Sequence, residues 1–269
     1  MTKTTIQSAI ILSCVLSGAA FAQTAAPKAS EPDYTLSYNV GVTTDYRYRG
    51  ISQSRLSPAL QGGVDFAHKN GVYLGAWAST IKWISDNNSA LGSVKGPIEL
   101  DLYGGYKGEL NKDVTYDIGL LQYAYLNNSL ANTGGGGVYA NANTTEIYAA
   151  ATYKQFTAKY SHSMGRLFGT LGSKNSGYID LSANFDLGNG WSVVPHLGIQ
   201  RISDNAKAVY GVSPAYTDYS VTVNKDIDGL VLSGALVGTN ADKTFYVSPA
   251  NTSKFLGKTG LVLSIKKNF

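Results

Sequence analysis

The chain has 269 residues, 22 Lys and Arg against 18 Asp and Glu, a formal net charge of +4 and a mean hydropathy of −0.09. So mild a basic bias excludes the charge footprint of a nucleic-acid-binding protein, and a single cysteine excludes a disulfide framework or a cysteine metal centre. Average hydropathy would place the chain in water, but a transmembrane barrel hides apolar residues at every second strand position and gives the same average.

Lys3, the apolar run Ile10-Ile11-Leu12-Ser13-Cys14-Val15-Leu16 and the small-residue site Ala20-Phe21-Ala22 predict a secretory signal over residues 1–22, cleaved after Ala22. The run is shorter than the ~20 residues that a spanning helix needs. Lipid modification of Cys14 is the alternative; with cleavage after Ala22 the cysteine leaves the mature chain. Residues 23–33, rich in Ala, Pro, Ser and Thr, are expected to be a flexible lead-in, and the barrel is expected over 34–269.

In the first strand, Leu36, Tyr38, Val40, Val42, Thr44, Tyr46 and Tyr48 alternate with Ser37, Asn39, Gly41, Thr43, Asp45, Arg47 and Arg49. That length suits a tilted membrane crossing better than an ordinary soluble strand. Further strands are predicted near 58–68, 71–81, 98–107, 114–125, 145–154, 156–165, 177–187, 191–202, 216–225, 230–239 and 260–269. The third strand has two competing phases, Val72/Leu74/Ala76/Ala78 outward or Tyr73/Gly75/Trp77 outward. Short turns at 68–71, 108–113, 154–155, 188–190 and 226–229 alternate with long polar loops at 50–57, 82–97, 126–144, 166–176, 203–215 and 240–259.

This alternation, with an even strand number, predicts an all-β fold: a closed antiparallel transmembrane barrel of about 12 strands. Its short turns would face the periplasm and its long loops the exterior. Pairs of aromatics flank the short turns (Phe66/Tyr73, Tyr106/Tyr116, Tyr153/Phe156, Phe185/Trp191), as an interfacial girdle requires. Cross-strand aromatic pairing is the plainer explanation. Pro195 removes a ladder donor inside a strand, so irregular pairing is expected there. The last strand alternates Leu261, Leu263, Ile265, Lys267 and Phe269 with Val262, Ser264, Lys266 and Asn268. It is expected to close on the first.

The face opposite the apolar one carries Asp65, Glu99, Asp101, Asp117, Glu146 and Asp180, with Lys159 as a mid-strand base. Asp45, Arg47 and Arg49 fall near the outer mouth on the same face, and Lys107 near the inner one. Carboxylates facing lipid would be very costly, so this face is expected to line the lumen. An acidic lumen under an arginine mouth predicts a mild preference for small cations or zwitterions. The same charges, paired with one another, could instead fill the interior. Twelve strands lie between the filled eight-stranded barrels and the open sixteen-stranded ones.

Asp45-Tyr46-Arg47-Tyr48-Arg49-Gly50-Ile51-Ser52-Gln53 resembles a motif of the TorF family of porins of Gram-negative bacteria. Residues 71–79 (GVYLGAWAS) and 99–106 (ELDLYGGY) are similar to that family too. The resemblance spans the whole mature chain and implies an outer-membrane barrel with a transport role, without supplying a substrate. It carries over Arg47 and Arg49 as mouth or constriction residues, or else as anchors of the first loop through lumen acids. The closing strand, ending on Phe269, resembles those by which the barrel-insertion machinery recognises its clients.

No enzyme is expected. His68 sits in a turn, His196 in lumen phase, and His162 and Ser163 on opposite faces of one strand, so the last two cannot act as base and nucleophile. Gly134–Gly137 is an outer loop without the strand–helix context of a phosphate cradle. No cofactor or metal is expected. The expected partners are outer-membrane lipid and lipopolysaccharide, the insertion machinery, and small hydrophilic solutes or ions, for a protein that is a monomer rather than a trimer. Three functions stay open: a passive porin, an occluded barrel acting through its outer loops, and a lipid-modifying enzyme.

Overall fold

The computed structural model describes residues 32–87, 95–132 and 139–269. The expected signal segment, nearly all of the lead-in, Cys14 and Gly134–Gly137 lie outside them. Twelve staves form the wall: β1 (Tyr34–Thr43), β2 (Ala59–His68), β3 (Val72–Thr80), β4 (Ile98–Asn111), β5 (Val114–Leu126) and β6 (Thr144–Tyr153). The second half comprises β7 (Phe156–Ser163), β8 (Gly177–Ala183, resuming as Phe185–Gly188), β9 (Trp191–Arg201), β10 (Tyr216–Ile227), β11 (Leu230–Thr239) and β12 (Gly260–Asn268).

Each stave pairs antiparallel with its neighbours in sequence, and β12 pairs back onto β1. At the seam Asn39 faces Asn268, the Phe269 amide donates to the Tyr38 carbonyl at 2.9 Å, and Phe269 accepts from the Tyr38 amide at 3.2 Å. Closure leaves no unpaired edge. The turns that join consecutive staves follow ordinary hairpin chemistry. Asn189-Gly190 and Asp228-Gly229 both take left-handed φ values (51° and 76°; 51° and 81°), which suits the twist of a two-residue hairpin. β4 and β5 run on to Asn111 and Val114, so the short turn predicted at 108–113 tightens to two residues on a longer hairpin.

The outer wall is apolar. In β5, Ile118 and Leu120 are 51% and 53% exposed, while Asp117, Leu121 and Tyr123, in the opposite phase, are buried. β1 presents Leu36, Tyr38, Val40 and Val42 outward in the same way. An exposed apolar band running round a closed barrel is a lipid-facing surface. The third stave takes one of its two phases: Val72 and Leu74 are exposed, and the hydroxyl of Tyr73 bonds Asp117 on β5 across the interior. Tyr73 therefore does not belong to the girdle. Tyr106, Tyr153, Phe156, Phe185 and Trp191 do lie exposed at the short-turn rim, where Phe156 meets Phe185 edge-on and Tyr34 stacks on Phe66.

At Pro195 the pairing is irregular on one side only. β9 pairs with β10 straight through it, Pro195 opposite Val221, while β8 breaks at Asn184. The pairs Ser182–His196 and Phe185–Val193 flank the break and keep one register. The missing proline donor thus opens a local gap in the ladder without a bulge.

The first stave departs from its expected length. It ends at Thr43, and residues 44–58 fold into the barrel, so Tyr46 and Tyr48 lie inside rather than on the outer face. Short-range polar bonding shapes this loop. The Asp45 carboxylate accepts from the hydroxyls of Ser52 (2.5 Å) and Ser54 (3.1 Å) and from the Arg47 guanidinium, and the Tyr46 amide donates to Ser54 Oγ at 3.0 Å. Arg47–Tyr48 and Ile51–Ser52 form a two-residue ribbon turned by Arg49 (φ 46°) and Gly50 (φ 77°). A side chain at Gly50 would collide with Thr239 and Asp218 on the wall.

The other long loops also carry structure. A helix α1 (Asp204–Tyr210) is capped by Ser203 and ended by Gly211 in the left-handed conformation (φ 75°). A second ribbon joins Val247–Ser248 to Asn251–Phe255.

If the apolar band faces lipid, Leu120→Arg on the outer face will lower folding stability in lipid vesicles by about 2–4 kcal/mol. Ser220→Arg, directed into the open interior, is expected to change it far less. Urea titrations of both variants check the contrast.

Candidate functional site

A cavity of about 1430 Å³ occupies the interior. Its lining starts at the short-turn rim with Lys112, Asp113, Lys154 and Trp191 and reaches up to the inward loop at Asp45–Gly50. Beyond that loop the long-loop end is packed with side chains. Ile84, Leu130 and Ala142 from the loops are buried with Tyr46, Tyr123 and Tyr125, and the rings of Trp83 and Phe168 pack around them. Across the mouth, Ile51, Tyr216, Ala241 and Leu256 form a second cluster with Tyr246 and Phe255. Asp86 ties these loops together, accepting from Arg55 at 3.1 Å and Ser248 at 3.3 Å. Burial pushes the Asp86 carboxyl above its ordinary range, and the Arg55 charge pulls it back.

The loop is held in place by Arg49. Its guanidinium lies 4.1 Å from the Tyr178 ring centre and 4.8 Å from that of Tyr48, between the two. It also forms a 2.7 Å ion pair with Glu146 on β6 and donates to Gln200 on β9 at 2.8 Å. One side chain therefore joins the loop to two separate staves of the wall. Arg and carboxylate are both buried, 7% and 2% exposed, so each depends on the other for charge compensation. The Tyr48 hydroxyl meets that of Tyr123 at 2.7 Å on the same wall.

Arg47 turns elsewhere. It pairs with Asp45 and donates to the carbonyls of Gly50 (2.9 Å), Leu256 (3.0 Å) and Lys258 (3.1 Å), which couples the first loop to the last.

The inner acids are served chiefly by tyrosine. Tyr46 donates to Glu99, Tyr103 to Asp65, Tyr73 to Asp117 at 2.6 Å and Tyr178 to Asp218 at 3.0 Å. Glu146 accepts weakly from Tyr123 at 3.4 Å besides its Arg49 pair. Lys159, in register with Asp180, lays its ammonium 3.9 Å from the Tyr148 ring centre. His196 stands between two carboxylates, 3.3 Å from Asp180 and 3.0 Å from Asp218.

Asp45, Arg49 and Glu146 thus meet the Asp180–Lys159 group around the upper cavity, while Asp65 and Asp117 sit on the β2–β5 wall. His196, in lumen phase as its alternation with Leu197 predicts, completes the arrangement with Asp218, Tyr178 and Gln200, which the same alternation beside Tyr219 and Ile199 could have found. A lumen ordered by tyrosine–carboxylate bonds differs from the pure salt-bridge filling that charge counting suggests. Among the described residues no group of three His, Cys, Asp or Glu side chains could hold a metal ion. His162 bonds Tyr160 on the outer face, away from Ser163.

Arg49→Met will strand Glu146 in a buried site and lower stability by about 3–5 kcal/mol. Adding Glu146→Gln to it is expected to restore part of that loss, as read from urea or thermal unfolding in detergent.

No curated protein matches the sequence. Among solved structures, the fold is similar to the NanC porin (TM-score 0.51, 10% identity, covering 87% of this chain and 99% of that one). The KdgM porin has a TM-score of 0.49 at 4% identity over 87% and 97% of the two chains. The COG4313 outer membrane channel from Pseudomonas putida F1 has a TM-score of 0.46 at 14% identity over 89% and 97%. At such identities the NanC likeness is one of fold. Residues 26–269 match the model of the Gcw_chp family, bacterial proteins of unknown function, and the chain belongs to that family.

Proposed function

We propose that this protein is an outer-membrane channel of the porin kind for passive diffusion of small hydrophilic solutes, with residues 44–58 as its constriction. The observation that carries this reading is the cavity of about 1430 Å³, lined by acids, lysines and hydroxyl side chains among apolar ones, that runs inside a lipid-facing barrel from the short-turn rim to Arg49. A barrel serving only as a scaffold has no need of a charged, unfilled interior. The fold shared with the NanC porin agrees with it. In this reading the signal 1–22 is removed after Ala22, residues 23–33 lead into the barrel from the periplasm, and short turns face that side. The chain is a monomer, its β12 is handed to the insertion machinery, and lipopolysaccharide covers the outer rim. The motif at Asp45–Gln53 supports kinship with the TorF porins. Asp45, Asp101, Lys159, Asp180 and the arginines set a mild selectivity for cations or zwitterions, and no catalysis takes part.

The packed loops supply the observation for a second reading, an occluded barrel that works through its outer surface. Conductance separates the two. Folded protein in planar bilayers is expected to give discrete steps, and Arg49→Met, which frees the inward loop, larger or more frequent ones. Silence of both proteins across a range of salts and voltages overturns the channel.

A further inference from the structure

Asp101 on β4 is the inner acid whose bonding is incomplete. Its side chain is 6% exposed, and Oδ1 is buried with no hydrogen-bond partner among the described residues. A carboxylate oxygen in that position is costly unless something else approaches it. Its companions in the same corner are spoken for: Glu99 accepts from Tyr46, and Glu146 takes Arg49. Asp101, Glu99 and Glu146 thus share this corner with the guanidinium of Arg49.

The walls of the corner are aromatic. Asp101 faces Trp77 on β3 and Tyr123 on β5 in register. Tyr46 packs edge-on against Trp77, centroids 5.4 Å apart, and Tyr48 does the same against Tyr123 at 5.5 Å. Asp101, these four rings and Arg49 all line the cavity.

We infer that this corner is a subsite for organic cations, solutes bearing a small ammonium group. The carboxylate of Asp101 supplies the counter-charge, and Trp77 with the tyrosines supplies ring faces on which a weakly hydrated cation gains energy. A divalent metal is a poorer match, because it wants several oxygen ligands at once and one unspent carboxylate offers few. Anions are opposed by Asp101, whose neighbour Glu146 is already matched by Arg49. The inference rests on the channel reading, which it deepens by naming the solute class at the narrow end of the cavity.

The test uses the full folded chain in detergent micelles and two independent readouts. Tetramethylammonium chloride is titrated by calorimetry and by tryptophan emission, with the Trp77→Leu variant isolating the Trp77 part of the signal, against sodium chloride at equal ionic strength. Saturable binding of tetramethylammonium alone is expected, weakened at least about tenfold by Asp101→Asn. Trp77→Leu is expected to weaken it as well and serves if the asparagine variant does not fold. No saturable binding by the unaltered protein overturns the inference, as does undiminished binding in a folded variant. Bilayer conductance, measured in parallel, keeps the two proposals apart. Conductance without tetramethylammonium binding removes only the subsite, and binding without conductance removes the channel.

Discussion

The wall of this protein must satisfy two solvents at once. Lipid offers no hydrogen bonds, so every backbone group has to find its partner within the sheet, and closure of β12 on β1 is the condition for that. The same pleat then sends every second side chain into an interior that lipid cannot reach. Everything else follows from how that interior is filled. Leucines and aromatics cover the outside, and the acids, being intolerable there, are concentrated within.

Filling is uneven, and Arg49 decides where it stops. A guanidinium held between two tyrosine rings, with a carboxylate and an amide at its edge, brings the first loop against two distant staves. The loop brings Tyr46 and Tyr48 with it, and these nucleate the packing of Ile84, Leu130 and Phe168 from other loops. The long-loop half thereby acquires a core of the sort found in soluble domains. The short-turn half keeps its space. One barrel thus contains a plugged portion and a cavity, divided at the level of residues 45–50.

Period-two alternation made the wall legible: Leu36 to Val42, Ile118 and Leu120, and Leu261 to Ile265 all face out as their pattern demands. Turn chemistry marked the hairpins at Asn189-Gly190 and Asp228-Gly229. Alternation misled at Tyr46 and Tyr48, because a tyrosine suits an interfacial belt and a polar interior equally well. What draws these two inward is Glu99, Trp77 and Tyr123, an acceptor and rings far away in sequence. Tyr73 failed for the same reason, its partner Asp117 lying two staves away. The acids themselves were legible by phase; their bonding was not, since it depends on which staves face each other across a closed ring. Pro195 announced an irregularity, but only the pairing shows that the gap falls on the β8 side.

The tyrosine hydroxyls that serve Asp65, Glu99, Asp117 and Asp218 carry a consequence of their own. A neutral donor fixes a carboxylate's position without cancelling its charge, whereas a lysine or arginine would do both. Rigidity and electric field are therefore set independently along this wall. The protein can hold its acids still, as a filled barrel does, without setting a lysine or arginine against each of them.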